Sequence, residues 1–134
     1  TGTFLTSIAA LPHLLDGGGS IVNISSSAAV KGAPWASAYA ASKGGVLSLT
    51  RSLAIEYGRQ GLRVNAHCPS HVATPIRDEF RFPADVDQSL VHRLLPFHEE
   101  GFPADVAAAA AFLASDDGRH VNGAELRVDG GDLT

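Results

Sequence analysis

Three short apolar segments alternate with longer segments of helical periodicity, and this alternation constrains the fold more than any other feature of the chain. The predicted strands are 20–25, 62–68 and 125–128. The longest helical pattern, 38–57, lies between the first two strands. A chain ordered strand, helix, strand favours parallel pairing through right-handed crossovers. The sequence therefore predicts an α/β fold, with a doubly wound parallel sheet of about three strands.

The segments around these strands carry further helix and turn signals. Apolar residues recur at helical spacing over 3–15, a short helix is predicted within 86–95, and another helix begins at Pro103. The glycine run 17–19 precedes the first strand and predicts a helix-ending turn. Residues 26–37 are interpreted as a loop.

Tyr39 and Lys43 are four residues apart near the start of the long helix, so their side chains share one helix face. A phenol ordinarily ionises near pH ~10 and is a poor proton shuttle at neutral pH. A positive charge ~4–5 Å away, at an effective dielectric constant of about 20, favours the ionised phenol by roughly 3–4 kcal/mol. The pair is therefore a candidate acid/base.

The predicted topology brings these residues to one edge of the sheet. Ser26 follows the first strand, and 69–74 follows the second. Tyr39 begins the connecting helix after the 26–37 loop, so it can return to the same edge. Ligands of such sheets bind beyond the carboxyl ends of the strands. The spacing therefore predicts one cleft lined by all three elements.

Three sequence blocks resemble the short-chain dehydrogenase/reductase family. They are Ser20-Ile-Val-Asn-Ile-Ser-Ser-Ser27 with Tyr39-Ala-Ala-Ser-Lys43; Arg63-Val-Asn-Ala-His-Cys-Pro69 with Val72-Ala-Thr74-Pro75; and Gly123-Ala-Glu-Leu-Arg-Val-Asp-Gly-Gly131. In that family a serine commonly lies thirteen positions before the tyrosine of Tyr-x-x-x-Lys, and here that position is Ser26. Ser25 and Ser27 are the alternatives. The resemblance covers nearly the whole chain and specifies the family, but not the substrate.

The resemblance implies an oxidoreductase that uses NAD or NADP to interconvert a carbonyl and a secondary alcohol. Tyr39 would exchange a proton with the substrate oxygen, and Ser26 would hydrogen-bond that oxygen. Lys43 would stabilise the ionised phenol and hold the nicotinamide ribose. The residues implied to contact the cofactor are Tyr39, Lys43, Pro69, Ser70, Val72 and Thr74. The family commonly has glycine where this chain has Ser70, so a serine with positive φ would be strained by ~1 kcal/mol.

The resemblance also implies that residues 1–134 are the C-terminal half of one Rossmann-like domain. No glycine-rich turn follows a strand and opens a helix, as a dinucleotide pyrophosphate requires, and the chain contains no methionine. Residues 75–100 would form a lid over an apolar small-molecule substrate. The apolar residues of this segment are Phe80, Phe82, Leu90, Leu94, Leu95 and Phe97, and the sequence allows equally that they belong to an ordinary core-facing helix. A homo-oligomer, dimer or tetramer, is implied by resemblance alone.

Composition excludes several other classes of protein. A net charge of −4 with dispersed basic residues argues against nucleic-acid binding, and no apolar run approaches a membrane span. A single cysteine, Cys68, excludes an intramolecular disulfide and favours a reducing compartment, by default the cytoplasm. His67, Cys68 and His71 are close in sequence, but adjacent strand residues face opposite ways, so no metal site is predicted.

A rival interpretation is a non-catalytic reductase-like scaffold, or an inactive fragment, that serves in assembly or ligand binding. Taken singly, a tyrosine that opens a helix is usually a packing residue, and a lone lysine is usually a solvated charge. The serines around Ser26 could simply cap backbone groups. Their occurrence together within three family-like blocks favours the catalytic interpretation, and a test for hydride transfer separates the two.

Overall fold

The computed structural model describes residues 1–79, 81–95 and 98–133. Three parallel strands form one sheet in the order β1-β2-β3. The helices are α1 (Gly2–Leu14), α2 (Ala28–Lys31), α3 (Ser37–Tyr57), α4 (Pro75–Glu79), α5 (Gln88–Val91) and α6 (Pro103–Ala114), and the strands are β1 (Gly19–Ile24), β2 (Leu62–Pro69) and β3 (Glu125–Val128). The predicted α/β fold with a three-stranded parallel sheet is confirmed.

The two faces of the central strand β2 are covered by different helices. Alternate β2 residues, beginning with Leu62, are buried against α1 and α3: Leu62 and Val64 pack with Leu11 and Leu53, while Ala66 and Cys68 pack with Leu47. Arg63 lies on the opposite face because strand side chains alternate, and its guanidinium donates to the carbonyls of Leu113, Ala114 and Ser115 at the end of α6. The sheet is therefore a middle layer between helices.

Two asparagines hold the turn before β3 in register with β2. Asn65 donates to the Val121 carbonyl at 2.9 Å and accepts from the Ala124 amide at 2.9 Å. Asn122 accepts from the Val64 amide at 2.8 Å and donates to the Ala54 carbonyl of α3 at 3.2 Å. These bonds satisfy backbone groups of β2, of the turn before β3 and of the last turns of α3.

Local differences from the sequence prediction concern short elements. The predicted 26–37 loop contains the one-turn helix α2, which is too short to show helical periodicity in its apolar residues. The helix predicted within 86–95 is shorter, comprising α5 and a 3₁₀ turn at His92–Leu94. The predicted turn after α1 is present, with positive φ at Gly17 and Gly18. The predicted lid residues Phe80 and Phe97 lie outside the described residues.

Candidate active site

Lys43 is held at the carboxyl end of β1 by its own hydrogen bond. Its ammonium donates to the Ile24 carbonyl at 3.0 Å and lies 5.8 Å from the centroid of the Tyr39 ring. This distance is within the range of a cation–π contact. Both side chains project from the first turns of α3, as their spacing predicts, and the Tyr39 side chain is 46% exposed. The Tyr39 ring thus lies beside a hydrogen-bonded cation at the solvent boundary.

The three serines after β1 have different hydrogen-bond partners. Ser25 Oγ donates to the Lys43 carbonyl at 2.9 Å, and Ser27 Oγ donates to Ser70 Oγ at 3.0 Å. Ser26 Oγ accepts from the Ala28 amide at 3.2 Å, and within the described residues its hydroxyl proton has no acceptor. Of the three hydroxyls, that of Ser26 is therefore the one free to donate to another oxygen.

The loop after β2 lies beside the end of β1. The Ser27 amide donates to the Pro69 carbonyl at 3.0 Å, which extends the pairing of the two strands. Further along, Val72 forms a parallel bridge with Gly101, and the Thr74 hydroxyl donates to the Val72 carbonyl at 3.3 Å. The segment 69–74 is therefore positioned at the same sheet edge as Ser26 and Lys43.

Comparison with known proteins identifies the family. The sequence model of a family described as enoyl-(acyl carrier protein) reductase matches residues 1–132. The chain is also similar to a solved short chain dehydrogenase from Mycobacterium paratuberculosis bound to NAD, with 35% identity and a TM-score of 0.86, over 98% of this chain and 52% of that one. The chain belongs to the short-chain dehydrogenase/reductase family.

Curated relatives of this reductase-family chain include one named as a dehydrogenase and one named as an inactive dehydrogenase. It is 45% identical to the 2-(R)-hydroxypropyl-CoM dehydrogenase of Xanthobacter autotrophicus, over 96% of this chain and 52% of that relative. It is also 45% identical to an inactive 2-(S)-hydroxypropyl-CoM dehydrogenase 2 of the same organism, over 98% of this chain and 59% of that relative. The chain thus spans little more than half the length of these relatives.

The strain considered at Ser70, where the reductase family commonly has glycine, does not occur. Among the described non-glycine residues, only Trp35 has a positive φ. The Ser70 hydroxyl instead accepts from Ser27 Oγ and donates to an Asp132 carboxylate oxygen. The loop therefore follows a backbone path that serine adopts readily, and a side chain absent from glycine holds it.

Asp132 and Lys31 are the residues of this edge that sequence reasoning missed. The Lys31 ammonium donates to the Asp132 carboxylate, although the two residues are 101 positions apart. Burial by itself raises the pKa of Asp132, but hydrogen bonds from Lys31 and Ser70 and the charges of Lys31 and His71 outweigh it and lower the pKa below its usual value. No motif or periodicity marks either residue, so the sequence carried no signal for them.

An aromatic pair connects the loop before α3 with the segment that follows α4. The rings of Trp35 and Phe82 meet edge to face, with centroids 5.8 Å apart and planes at 87°. The Trp35 backbone has φ 58°, a left-handed conformation that is costly for a bulky residue. Both side chains are partly exposed, at 39% and 46%. Trp35 is only four positions before Tyr39 in the sequence, so this aromatic contact adds apolar surface to the loop that leads into α3.

His67 is fully buried in β2 without a hydrogen-bond partner. Both ring nitrogens lack a partner in the described part of the chain, and the ring shares its sheet face with the register neighbours Ile24 and Leu126. Burial lowers the pKa of His67.

Across residues 1–79, 81–95 and 98–133, no group of three or more His, Cys, Asp or Glu side chains is arranged to hold a metal ion, and no helix there is long and apolar enough to cross a membrane.

The complete protein carrying His67→Leu is expected to lose less stability in mild acid than the parent. The pKa of His67 is lowered by folding, so the unfolded chain, with a pKa of about 6.5, binds the proton first. The neutral ring contributes fully to the free energy of unfolding above the unfolded-state pKa. This contribution is lost as pH falls through that pKa toward the lower pKa of the folded state. Urea unfolding at pH values from 7.5 to 5 measures the difference.

The exposed His120 supplies the matched control for this prediction. Unfolding midpoints of His120→Gln should follow those of the parent at every pH. Parallel curves for His67→Leu and the parent would show that the buried ring does not couple folding to protonation.

Proposed function

We propose that the complete protein is an NAD(P)-dependent oxidoreductase that interconverts a carbonyl and a secondary alcohol, with Ser26, Tyr39 and Lys43 as its acid/base site. The observation that carries the proposal is the position of the Lys43 ammonium, 3.0 Å from the Ile24 carbonyl and 5.8 Å from the Tyr39 ring, at the sheet edge where Ser26 lies. The related dehydrogenase from Xanthobacter and the NAD-bound structure from Mycobacterium support it.

The donors at this edge fit a nicotinamide dinucleotide. An ammonium has three N–H groups, and in the described residues Lys43 uses one of them on Ile24, so the others suit the hydroxyls of a ribose. Val72 and Thr74, which lie in the loop after β2, would hold the nicotinamide by backbone and hydroxyl contacts. Pro69 and Ser70 shape the start of that loop. These features suit NAD and NADP alike, because both carry the same nicotinamide ribose.

When bound, the dinucleotide supplies or accepts the hydride. In the reductive direction the Tyr39 hydroxyl donates its proton to the substrate carbonyl oxygen, and the free hydroxyl proton of Ser26 hydrogen-bonds the same oxygen. Lys43 stabilises the resulting phenolate electrostatically. In the oxidative direction the Tyr39 phenolate removes the alcohol proton. Tyr39 and Ser26 again hold the substrate oxygen in place.

The chain is proposed to be the C-terminal half of a single Rossmann-type domain, with 75–100 as its substrate lid. It spans 52% of the NAD-bound structure, and β1 is an outer strand of the described sheet. A groove of about 380 Å³ runs between α1 and β1, along the outer side of this strand. The contact of Phe82 with Trp35 supports a lid near Tyr39, and its aromatic character favours an apolar small-molecule substrate.

We further propose that the complete protein forms a homo-oligomer, as the family resemblance implies, and that it lies in the cytoplasm, as its single cysteine favours. Apolar side chains of α1 that are exposed in this chain, namely Phe4, Leu5 and Ile8, suit burial against the rest of the complete protein as well as burial in an assembly. The resemblance is compatible with a dimer and with a tetramer. We propose no nucleic-acid or membrane partner, in line with the acidic net charge of −4.

A scaffold without catalytic activity is the second candidate, and 45% identity to an inactive dehydrogenase favours considering it. The experiment follows the oxidation of NADH and of NADPH by the complete protein with a panel of apolar ketones. We expect saturable turnover with one or both dinucleotides. Tight dinucleotide binding without turnover across the panel would support the scaffold and contradict the proposed reaction.

A further inference from the structure

A buried carboxylate connects the segments that follow all three strands. The Asp132 side chain, in the segment after β3, is only 5% exposed. One carboxylate oxygen accepts from Lys31 at the end of α2, and the other accepts from Ser70 in the loop after β2. His71 Nε2 lies 3.9 Å from the second oxygen. A buried charge is costly unless it is paired and hydrogen-bonded, and here both oxygens are satisfied.

The network continues from Ser70 to the end of β1. Ser27 Oγ donates to Ser70 Oγ at 3.0 Å, while the Ser27 amide donates to the Pro69 carbonyl at 3.0 Å. Ser70 therefore receives one hydrogen bond through its hydroxyl and gives one to Asp132. Its backbone amide also lies 3.4 Å from the Val128 carbonyl at the end of β3. The start of the loop is held by side chain and backbone together.

Lys31 extends the same network to the segment that precedes α6. Its ammonium donates to the Arg93 carbonyl at 3.3 Å as well as to Asp132, and its side chain is 24% exposed. A single carboxylate thus orders the loop after β2 and, through Lys31, the backbone of the proposed lid. A buried ion pair is weak evidence for added stability, since apolar packing is often equally stabilising, so the contacts of this network matter here for the segments that they connect.

We infer that Asp132 is a positioning residue, which acts through Ser70 and Lys31 to hold the segment 69–74 in the shape that receives the dinucleotide. The inference rests on the proposed function, because that segment contains the residues proposed to contact the nicotinamide. The network lies at the carboxyl ends of the strands, where ligands of such sheets bind. The Ser70 hydroxyl donates a hydrogen bond from this loop directly to the Asp132 carboxylate, and glycine has no side chain that could do so.

The test replaces Asp132 by its neutral isostere in the complete protein. Asp132→Asn should weaken binding of NADH or NADPH, followed by fluorescence titration, roughly tenfold, because a charge-assisted bond to the loop is lost. The kcat at saturating dinucleotide should stay within about threefold of the parent, since Asp132 makes no contact with Tyr39 or Lys43 in the network. Amide deuterium exchange within 69–74 should become faster without ligand present.

Two further variants make the result specific. Asp117→Asn, an exposed carboxyl in the 3₁₀ turn after α6, should bind the dinucleotide like the parent. Ser70→Ala should weaken binding as Asp132→Asn does, and the double variant should be little worse than either single variant, because both break one connection. If Asp132→Asn does not fold, amide deuterium exchange within 69–74 of Ser70→Ala, measured without ligand, decides the question, because a lost direct contact with the dinucleotide would not change it.

The outcomes separate this inference from the proposed function. Parent-like affinity and exchange in Asp132→Asn, or parent-like exchange in Ser70→Ala when the first variant does not fold, would overturn the positioning role alone. A lowered kcat at unchanged dinucleotide affinity would also overturn it, because the carboxylate would then act on the chemistry. A parent that binds neither NADH nor NADPH would overturn the proposed function, and this inference with it.

Discussion

Tyr39→Phe is expected to lower kcat of the complete protein by about 10²-fold or more, because it removes only the hydroxyl that exchanges a proton with the substrate oxygen. The ring and its place 5.8 Å from the Lys43 ammonium are retained. Dinucleotide affinity should fall much less than kcat, since only the Tyr39 hydroxyl is lost, while Lys43 and the loop after β2 are untouched. Steady-state rates with a reactive ketone at saturating dinucleotide, beside a fluorescence titration of NADH or NADPH, measure the two effects separately.

The chain provides its own control for this substitution. Tyr57 is the other tyrosine of the sequence and lies at the opposite end of α3. Tyr57→Phe should turn over like the parent, because its hydroxyl is remote from the carboxyl edge of the sheet. If Tyr39→Phe also retained parental turnover, Tyr39 would have no part in proton transfer, and the proposed acid/base site would be wrong.

Lys43→Met is expected to reduce kcat/KM by at least about 10²-fold, through both proton transfer and dinucleotide binding. The substitution removes the positive charge beside the Tyr39 ring, so that a phenolate formed during proton transfer loses its electrostatic stabilisation. It also removes the ammonium that donates to Ile24 and is proposed to hold the ribose. Unlike Tyr39→Phe, it should therefore raise the KM for the dinucleotide as well as lower kcat.

The fold should tolerate this change, because Ser25 bonds the backbone carbonyl of residue 43 and not its side chain. Methionine also keeps an unbranched apolar stem. Arg119→Met, which removes an exposed cation remote from the site, should leave the kinetics unchanged. Lys43→Arg should recover only part of the activity, since a planar guanidinium cannot reproduce a compact ammonium in this position. Parental kinetics in Lys43→Met would contradict the proposed role of the charge.

The elements predicted well are those whose signal is local. The α3 helix was predicted from 38 to 57 and is observed at Ser37–Tyr57, because its periodicity extends over many turns. The strand Glu125–Val128 was predicted with its observed limits. Elements of a single turn, such as α2, were missed because four residues cannot display a period of 3.6.

In the candidate site, too, some features follow from sequence spacing and others are visible only in the structure. The proximity of Tyr39 and Lys43 follows from an i, i+4 spacing on one helix, and the shared edge of Ser26 and the 69–74 loop follows from parallel strands. The choice of Ser26 over Ser25 and Ser27 had rested only on a family spacing. Its physical support is that the neighbouring hydroxyls donate to other partners, which no sequence pattern records.

By itself the sequence determined the α/β class, the three parallel strands, the family and the face shared by Tyr39 and Lys43. The class, the strands and the shared helix face depend on backbone periodicity and on residues within a few turns of one another, whereas the family rests on the resemblance of three sequence blocks. Only the tertiary structure decided that Asp132 meets Lys31 and Ser70, and that His67 is buried in β2 with no hydrogen-bond partner among the described residues. Such contacts join residues up to 101 positions apart, and they exist only once the sheet and its helices have packed.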